Sequence, residues 1–217
     1  MLQNRVDPLG HLIRTSARGA WMGNRGVIHN EHQEIVRSYR LKAWLICVLE
    51  FKGRHRIVMT PNRWTELFFL DEATAFSAGH RPCFECRREA ASHFRQCWVK
   101  GNPSYNFTVT TSIHAIDAVL HGERLGPVGS YPGSAGSYMS RPEELPDGVF
   151  VLYEDKPHLV AGGLLFLWSP SGYGEAVMPP AGVELPVLTP RSTVNAFRMG
   201  YVPQMGPFTS QKKLHDE

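Results

Sequence analysis

The sequence predicts an α+β fold in which an antiparallel hairpin, a further strand and flanking helices surround a Cys-x-x-Cys pair, followed by a small β-rich unit and a C-terminal helix. Two observations predict this class. Short apolar runs of strand length alternate with stretches of helical periodicity, and a Gly/Pro/Ser-rich segment divides the chain after residue 125. The chain has 217 residues, 42% of them hydrophobic, which is enough to bury a substantial core.

Residues 1–125 are predicted to form a basic α+β unit. The run 42–50, KAWLICVLE, is apolar on both faces and predicts a central strand, and 54–60 predicts its hairpin partner across a Lys-Gly turn. Residues 64–70 predict a third strand. Asp71 then suits the N-cap of a short helix that ends at a glycine.

Further helices are expected at 86–99 and at 112–125, where apolar residues recur at helical spacing. Residues 126–148 lack periodicity and are rich in Gly, Pro and Ser, which predicts a loop or linker. The remaining part, 149–217, predicts a β-rich unit with a terminal helix that begins at Pro190. The two units can share one core or have one each.

Composition limits the function classes. No apolar run is long enough to cross a membrane, and the first residues lack the apolar segment of a signal peptide, so we expect a cytoplasmic protein without a membrane partner. Residues 1–125 carry 17 Lys and Arg against 11 Asp and Glu, whereas the rest of the chain is net acidic. This asymmetry permits nucleic acid or an anionic small molecule as partner, although ordinary solvated charge also explains it.

The strongest chemical signal is the pair Cys83 and Cys86. Two cysteines at this spacing place their sulfurs close enough to chelate one ion, and the preceding Arg-Pro turn is common in zinc knuckles. A redox dithiol normally follows a strand, whereas the residues before this pair predict a helix. The sequence therefore favours a zinc site over a redox pair, with two inert thiols as the remaining alternative.

These residues also resemble a known family. Phe68-Phe69, the acidic Asp71, an Ala-Gly step and Arg-Pro-Cys-x-x-Cys up to Arg88 are similar to the second half of the zinc-binding domain of the Ada DNA alkylation repair proteins. The resemblance covers about a tenth of the chain and implies a zinc knuckle, with DNA repair as a possible context. In that family two upstream cysteines complete the site and one accepts a methyl group. Here the upstream region has Cys47 and no Cys-x-x-x-Cys pair, so methyl transfer is not carried over.

The other zinc ligands must come from elsewhere. Cys97 lies roughly 16 Å along the predicted helix from Cys86 at about 1.5 Å per residue, which is too far for one ion. His55, on the predicted hairpin, and His80, just before the knuckle, are the candidate ligands, and for His55 a hydrogen-bonded core position fits equally well. Cys47, in the central strand, is assigned to the core.

Two further groups of side chains are candidate site residues. His29, Glu31 and Glu34 lie in one short stretch that can supply a general acid or base or further ligands, or can form the solvated start of a helix. The second group flanks the knuckle and can hold an anion or remain solvent-exposed; it comprises Arg81, Arg87 and Arg88.

Three functions follow from these features. The first is a zinc protein that binds or acts on nucleic acid or another phosphate-bearing ligand. The second is a zinc-dependent hydrolase or deaminase in which an open metal position activates water and Glu31, Glu34 or His29 acts as base. The third is a binding domain with a structural zinc. The number of protein ligands on the metal distinguishes a catalytic site from a structural one.

Overall fold

The computed structural model describes residues 1–54, 57–125 and 138–208, and these residues confirm the α+β class. They form two six-stranded sheets and four α-helices. The first sheet contains β1 (Arg5–Val6), β2 (Leu12–Ile13), β3 (Trp21–Asn24), β4 (Leu45–Cys47), β5 (Leu67–Phe69) and β6 (Arg81–Pro82). The helices are α1 (Glu72–Ser77), α2 (Arg88–Gly101), α3 (Ile113–Leu125) and α4 (Arg191–Arg198).

The first sheet has the strand order β2-β1-β5-β3-β4-β6. β4 pairs with β3 in antiparallel and with β6 in parallel orientation, so both of its edges are occupied. The predicted hairpin partner at 54–60 is therefore wrong for its described residues, 54 and 57–60, which form no strand. Met59 has a positive φ of 55° and Ile57 is 81% exposed, so this segment turns away from the sheet instead of extending along it.

The short helix predicted after Asp71 is confirmed as α1. The Asp71 carboxylate accepts a hydrogen bond from the Thr74 backbone N–H, and Gly79 follows the helix with φ of 81°, a conformation that favours glycine. This cap orients the chain so that β6 and the two knuckle cysteines follow directly. The helices predicted at 86–99 and 112–125 are also present, with α2 beginning two residues later than expected.

The second sheet is antiparallel throughout, with the order β11-β10-β9-β8-β12-β7. Its strands are β7 (Tyr138–Ser140), β8 (Phe150–Tyr153), β9 (Lys156–Ala161), β10 (Leu164–Ser169), β11 (Gly172–Val177) and β12 (Leu185–Val187). The predicted linker at 126–148 falls outside the described residues up to 137. From residue 138 onward it contains β7 and a 3-10 turn, Pro142–Glu144, which its aperiodic composition did not predict.

One cluster of buried side chains extends through both parts of the chain. It joins Ile28 and Leu67 of the first part to Val149 and Val187 of the second. The rings of Phe76, Phe94, Phe197 and Tyr201 meet in the same cluster, where α2 packs against α4. No described helix has the length and apolar character needed to cross a bilayer.

Candidate metal centre

Three cysteines from separate places in the sequence meet beside the first sheet. Cys47 is the last residue of β4, Cys83 follows β6, and Cys86 lies two residues before α2. The parallel register aligns Ile46 with Pro82, and the Cys83 N–H donates to the Ile46 carbonyl over 3.0 Å, so the next residues of both strands are neighbours. The three sulfur atoms lie within 4.8 Å of one another. These cysteines are close enough to bind one metal ion.

Cys47 is the member of the cysteine group that the sequence analysis assigned to the core. Its side chain is buried, as the assignment to the core expected, but its sulfur belongs to the cysteine group. The prediction failed because residues 42–50 are apolar on both faces of the predicted strand. The alternation of polar and apolar residues therefore does not show which neighbouring element each side chain faces. One signal was present: Cys47 is the only cysteine upstream of the knuckle, where the resembling family places further thiolate ligands.

Backbone N–H groups favour thiolate at this cluster. The Glu85 N–H donates to the Cys83 sulfur over 3.4 Å. Hydrogen bonding from the Cys47 thiol, together with the N–H groups of Cys86 and Glu85, lowers the pKa of the Cys83 thiol to about 5 even though burial opposes this. The same bond to Cys83 raises the pKa of Cys47, and burial raises the pKa of Cys86. The hydrogen bonds at this cluster therefore favour the thiolate form of Cys83.

The cysteine group forms part of the wall of a cavity of about 160 Å³. All three cysteines line this cavity, so the cysteine group faces the cavity. The ion pair between Arg54 and Glu85, 2.8 Å long, lies at the same wall. The other lining residues are Met22, Asn24, Leu45, Val48, Phe51 and Trp64.

The thiolate set determines which metals suit the site. Thiolates are soft ligands that prefer Zn²⁺, Cu⁺ and iron–sulfur clusters over Mg²⁺ or Ca²⁺. Zinc bonds to sulfur at about 2.3 Å, so sulfurs around a tetrahedral ion lie about 3.8 Å apart, which is compatible with three sulfur atoms that lie within 4.8 Å of one another. In the described part of the chain, no His, Asp or Glu joins the three cysteines as a fourth member of the group.

His80 is not placed with the cysteines. Its ring is fully buried and packs against Phe69 at 4.7 Å and Trp44 at 5.2 Å between centroids. Its Nε2 atom accepts a hydrogen bond from the Arg25 guanidinium over 3.3 Å. Burial and the Arg25 charge lower its pKa well below the usual value, so the ring is neutral. Its predicted role as a zinc ligand is not supported by these contacts. His55, the other predicted histidine ligand, lies outside the described residues.

The predicted catalytic group is also away from the cysteines. His29 is buried, with one ring nitrogen 2.6 Å from the Thr65 hydroxyl and the other 3.2 Å from the Thr60 carbonyl oxygen. Glu31 and Glu34 are exposed, and neither lines the cysteine cavity. The stretch is a turn instead of a helix start, because the Asn30 side chain accepts from the N–H groups of residues 32 and 34.

Two of the three predicted anion-binding arginines are occupied inside the protein. Arg81 is buried and forms two hydrogen bonds with the Asp117 carboxylate, 2.7 and 2.8 Å long. Arg87 pairs with Glu72 at 2.7 Å and lies over the Trp21 ring. Arg88 is exposed at the start of α2. The guanidinium groups of Arg81 and Arg87 therefore stabilise the packing of the knuckle region, and their charges are already matched by carboxylates.

The sequence predicted the pair Cys83 and Cys86, and the fold brings Cys47 to it. Together the three cysteines form the candidate metal centre. The resemblance of Phe68 to Arg88 to the Ada zinc-binding domain stays a prediction. Comparison of the chain with protein-family models, with curated protein sequences and with solved structures gives no match.

Proposed function

We propose that this chain is a zinc-binding protein in which the thiolates of Cys47, Cys83 and Cys86 hold the ion. The observation that carries the proposal is the approach of the three sulfur atoms to within 4.8 Å. A second observation supports it: the N–H···S hydrogen bond from Glu85 stabilises negative charge on Cys83, as a metal-bound thiolate requires.

The bound zinc would connect three elements that are distant in sequence. It would join the end of β4 to the end of β6 and to the start of α2, at the edge of the first sheet. A fourth coordination position would be left open toward the cavity that the three cysteines line. That position is available to water or a small ligand, or to a protein side chain such as the predicted ligand His55. In either case metal binding stabilises the fold, because the unfolded chain does not hold the three thiolates together.

Hydrolase and deaminase activity is not part of this proposal. Both require a general base near the metal-bound water. The predicted bases Glu31 and Glu34 are exposed and do not line the cysteine cavity, and His29 already uses both ring nitrogens. Glu85, the carboxylate that does line this cavity, is paired with Arg54. Nucleic acid stays a predicted partner that rests on the basic composition of residues 1–125 and on the resemblance. Among the predicted anion-binding arginines, Arg81 and Arg87 are paired with carboxylates.

Metal content of the purified protein tests the proposal. We expect about one zinc per chain by elemental analysis, and loss of this zinc in Cys83→Ser and Cys86→Ser. Replacement of zinc by Co²⁺ should give thiolate-to-metal charge-transfer absorption with the intensity expected for three sulfur ligands. A His55→Ala variant should keep these bands and reveal whether His55 occupies the fourth position. Protein purified without chelator that holds no metal and takes up neither Zn²⁺ nor Co²⁺ contradicts the proposal.

A further inference from the structure

A second cavity, separate from the cysteine group, has a volume of about 330 Å³. This size is within the range of small-molecule sites. Its wall combines two kinds of side chain, cationic and apolar. The residues that matter for its chemistry are Arg25, Arg37, Arg124, Tyr39, Trp44 and Leu12.

The cavity contains two buried arginines that form no ion pair with any carboxylate in the described part of the chain. Arg25 is 2% exposed and Arg124 is 5% exposed. Arg25 donates to the Gly10 carbonyl over 3.1 Å and to the neutral His80 ring, and Arg124 donates to the Leu9 carbonyl. Neither forms an ion pair within 4.0 Å of a described acidic side chain. The Arg25 Nη2 atom is buried and has no hydrogen-bond partner among the described residues.

Elsewhere in the described chain, comparable arginines do have counter-charges. Arg81, which is 4% exposed, pairs with Asp117, and Arg87 pairs with Glu72. A buried charge is costly unless it is paired, and removing one partner of such a pair typically costs about 3–5 kcal/mol. Arg25 and Arg124 depart from this pattern together and in one cavity. The missing component of this cavity is therefore a negative charge.

The fold is built to keep Arg124 in this position. Gly79 has a φ of 81°, and a Cβ atom there would come within 2.7 Å of the Arg124 Cδ atom. Gly10, on the opposite turn, likewise leaves room for the Arg124 guanidinium group. Asp7, an acidic group whose charge acts on both arginines, is already engaged, since its carboxylate accepts from the His11 backbone N–H over 2.8 Å and lies 3.1 Å from the His11 ring.

The rest of the wall favours a ligand with a flat or apolar body. The Arg25 guanidinium lies 4.1 Å from the Trp44 ring centroid, which holds its plane against the indole. Tyr39 packs edge-on against His121, and His121 in turn packs against Trp44. Leu12 adds an aliphatic surface, and Arg37 is exposed at the rim. Aromatic and apolar walls with a few converging polar groups are typical of small-molecule sites.

We propose that this cavity binds a small molecule that has an oxyanion head, phosphate or carboxylate, on a planar or apolar body. The head lies between Arg25 and Arg124 and accepts a hydrogen bond from the free Nη2 of Arg25. The body packs against Trp44 and Tyr39. The site does not depend on the zinc centre, so either proposal can fail without the other.

The electrostatics of the empty cavity agree with this assignment. Burial lowers the pKa of Arg25 to about 9 and that of Arg124 to about 10, and the mutual repulsion between the two charges contributes to the shift of Arg25. Asp7 opposes both shifts. Arg37 adds a further positive charge at the rim, and His11, whose pKa is raised by its hydrogen bond to Asp7, also lines the cavity. A bound anion reduces this excess of positive charge.

Calorimetric titration of the purified protein, with whatever metal it holds, tests the site with four probes: phenyl phosphate, benzoate, inorganic phosphate and the neutral benzyl alcohol. We expect phenyl phosphate or benzoate to bind at least about tenfold more tightly than benzyl alcohol, equivalent to about 1.4 kcal/mol. The tighter of the two identifies the head group. Inorganic phosphate, which lacks the body, should bind more weakly than phenyl phosphate.

Variants locate the binding. Arg25→Gln and Arg124→Gln should each weaken binding of the preferred probe at least about tenfold, and Arg37→Gln should weaken it a few-fold. Arg63→Gln removes the same charge at an exposed position that does not line the cavity and should leave affinity unchanged. If Arg25→Gln and Arg124→Gln do not fold, the probe affinities of Arg37→Gln and Arg63→Gln are compared instead. Weaker binding in Arg37→Gln alone supports the proposal, and equal affinity in the two variants contradicts it.

Three results would overturn the proposal. The first is no saturable binding of phenyl phosphate or benzoate up to about 10 mM, which corresponds to less than about 3 kcal/mol. The second is equal affinity for benzyl alcohol and the anionic probes. The third is much tighter binding of a 5′-phosphorylated oligonucleotide than of phenyl phosphate, with the same dependence on Arg25, which would assign the cavity to nucleic acid instead of a small molecule.

Discussion

A Cys47→Ser variant distinguishes a metal centre with three cysteine ligands from a knuckle that uses only Cys83 and Cys86. The sulfur of Cys47 lies within 4.8 Å of both other sulfurs, so it is a ligand if the site holds one ion. Serine keeps nearly the same volume but is a poor ligand for zinc. We therefore expect Cys47→Ser to lose metal while the packing of β4 is nearly preserved.

The size of the effect follows from binding linkage. Zinc at a free concentration of about 1,000 times its Kd stabilises the folded chain by about 4.1 kcal/mol. Loss of a supporting residue around a metal site typically weakens affinity about 10–100-fold, so loss of a ligand should cost at least about 100-fold. At the same zinc concentration the stabilisation then falls to about 1.4 kcal/mol. The difference, about 2.7 kcal/mol, lowers the melting midpoint of a domain of this length by about 5–11 °C.

Thermal unfolding with and without zinc measures this difference. Cys97→Ser is the matched control, because Cys97 is also buried, and its thiol lies on α2 with the Met199 carbonyl 3.5 Å away. We expect this control to respond to zinc as the wild type does and to change the free energy of unfolding by about 1 kcal/mol or less. In the presence of a chelator, the wild type and Cys47→Ser should unfold within a few degrees of each other. Equal zinc affinity and an equal zinc-dependent shift in wild type and Cys47→Ser would refute the three-thiolate site.

Three further outcomes are expected. Glu72→Gln should destabilise the protein by about 3–5 kcal/mol in chemical denaturation, because it leaves the buried Arg87 charge unpaired. Glu85→Gln, at the exposed pair with Arg54, should cost less than about 1 kcal/mol. Equal costs of the two substitutions would contradict the assignment of Glu72 and Arg87 as a buried ion pair. Tyr173→Phe removes a buried 2.6 Å hydrogen bond to the N-cap carboxylate and should cost about 1.5–3 kcal/mol at neutral pH. Burial raises the pKa of that carboxyl and the tyrosine bond opposes the rise, so the deficit should shrink as falling pH protonates the carboxyl, and a deficit independent of pH would argue against it. Zinc affinity, measured by chelator competition, should fall as the pH is lowered from about 8 to about 6, because zinc must displace the protons of the Cys47 and Cys86 thiols, whose pKa values are raised; unchanged affinity would exclude thiolate ligation.

Local signals predicted several elements well. Asp71 followed by a short apolar run and a glycine predicted α1, because N-caps and left-handed glycines act within one turn of the chain. Pro190 before an amphipathic stretch predicted α4 in the same way. These signals depend on neighbouring residues, and the tertiary structure leaves them unchanged.

Pairing between distant strands was not predictable from the same information. The apolar run that contains β4 is consistent with several partners, and the nearest one in sequence was chosen, at 54–60. The structure pairs β4 with β3 and β6 instead. The cost of closing a longer loop grows only slowly with its length, so a better-matched distant strand can displace a near one. That choice also decides the metal centre, because β6 places Cys83 next to Cys47.

The arginines likewise show the difference between local sequence signals and contacts that the tertiary structure decides. Their positions near the knuckle suggested anion binding by Arg81 and Arg87, but both meet carboxylates from other elements. Arg25 lies near Arg124 of the distant helix α3, and neither arginine forms an ion pair with a carboxylate of the described residues. Sequence spacing does not show which charges will be buried, nor which of them will find a partner.

The sequence alone determined the α+β class, the boundaries of most helices and the Cys83-x-x-Cys86 knuckle, because capping, periodicity and chelate spacing are local properties. The tertiary structure decided that Cys47 is the third sulfur, that His80 faces Arg25 and that two arginines share a cavity. Each of these depends on contacts between segments that are far apart in the chain, and such contacts are set by strand register and by the packing of the core.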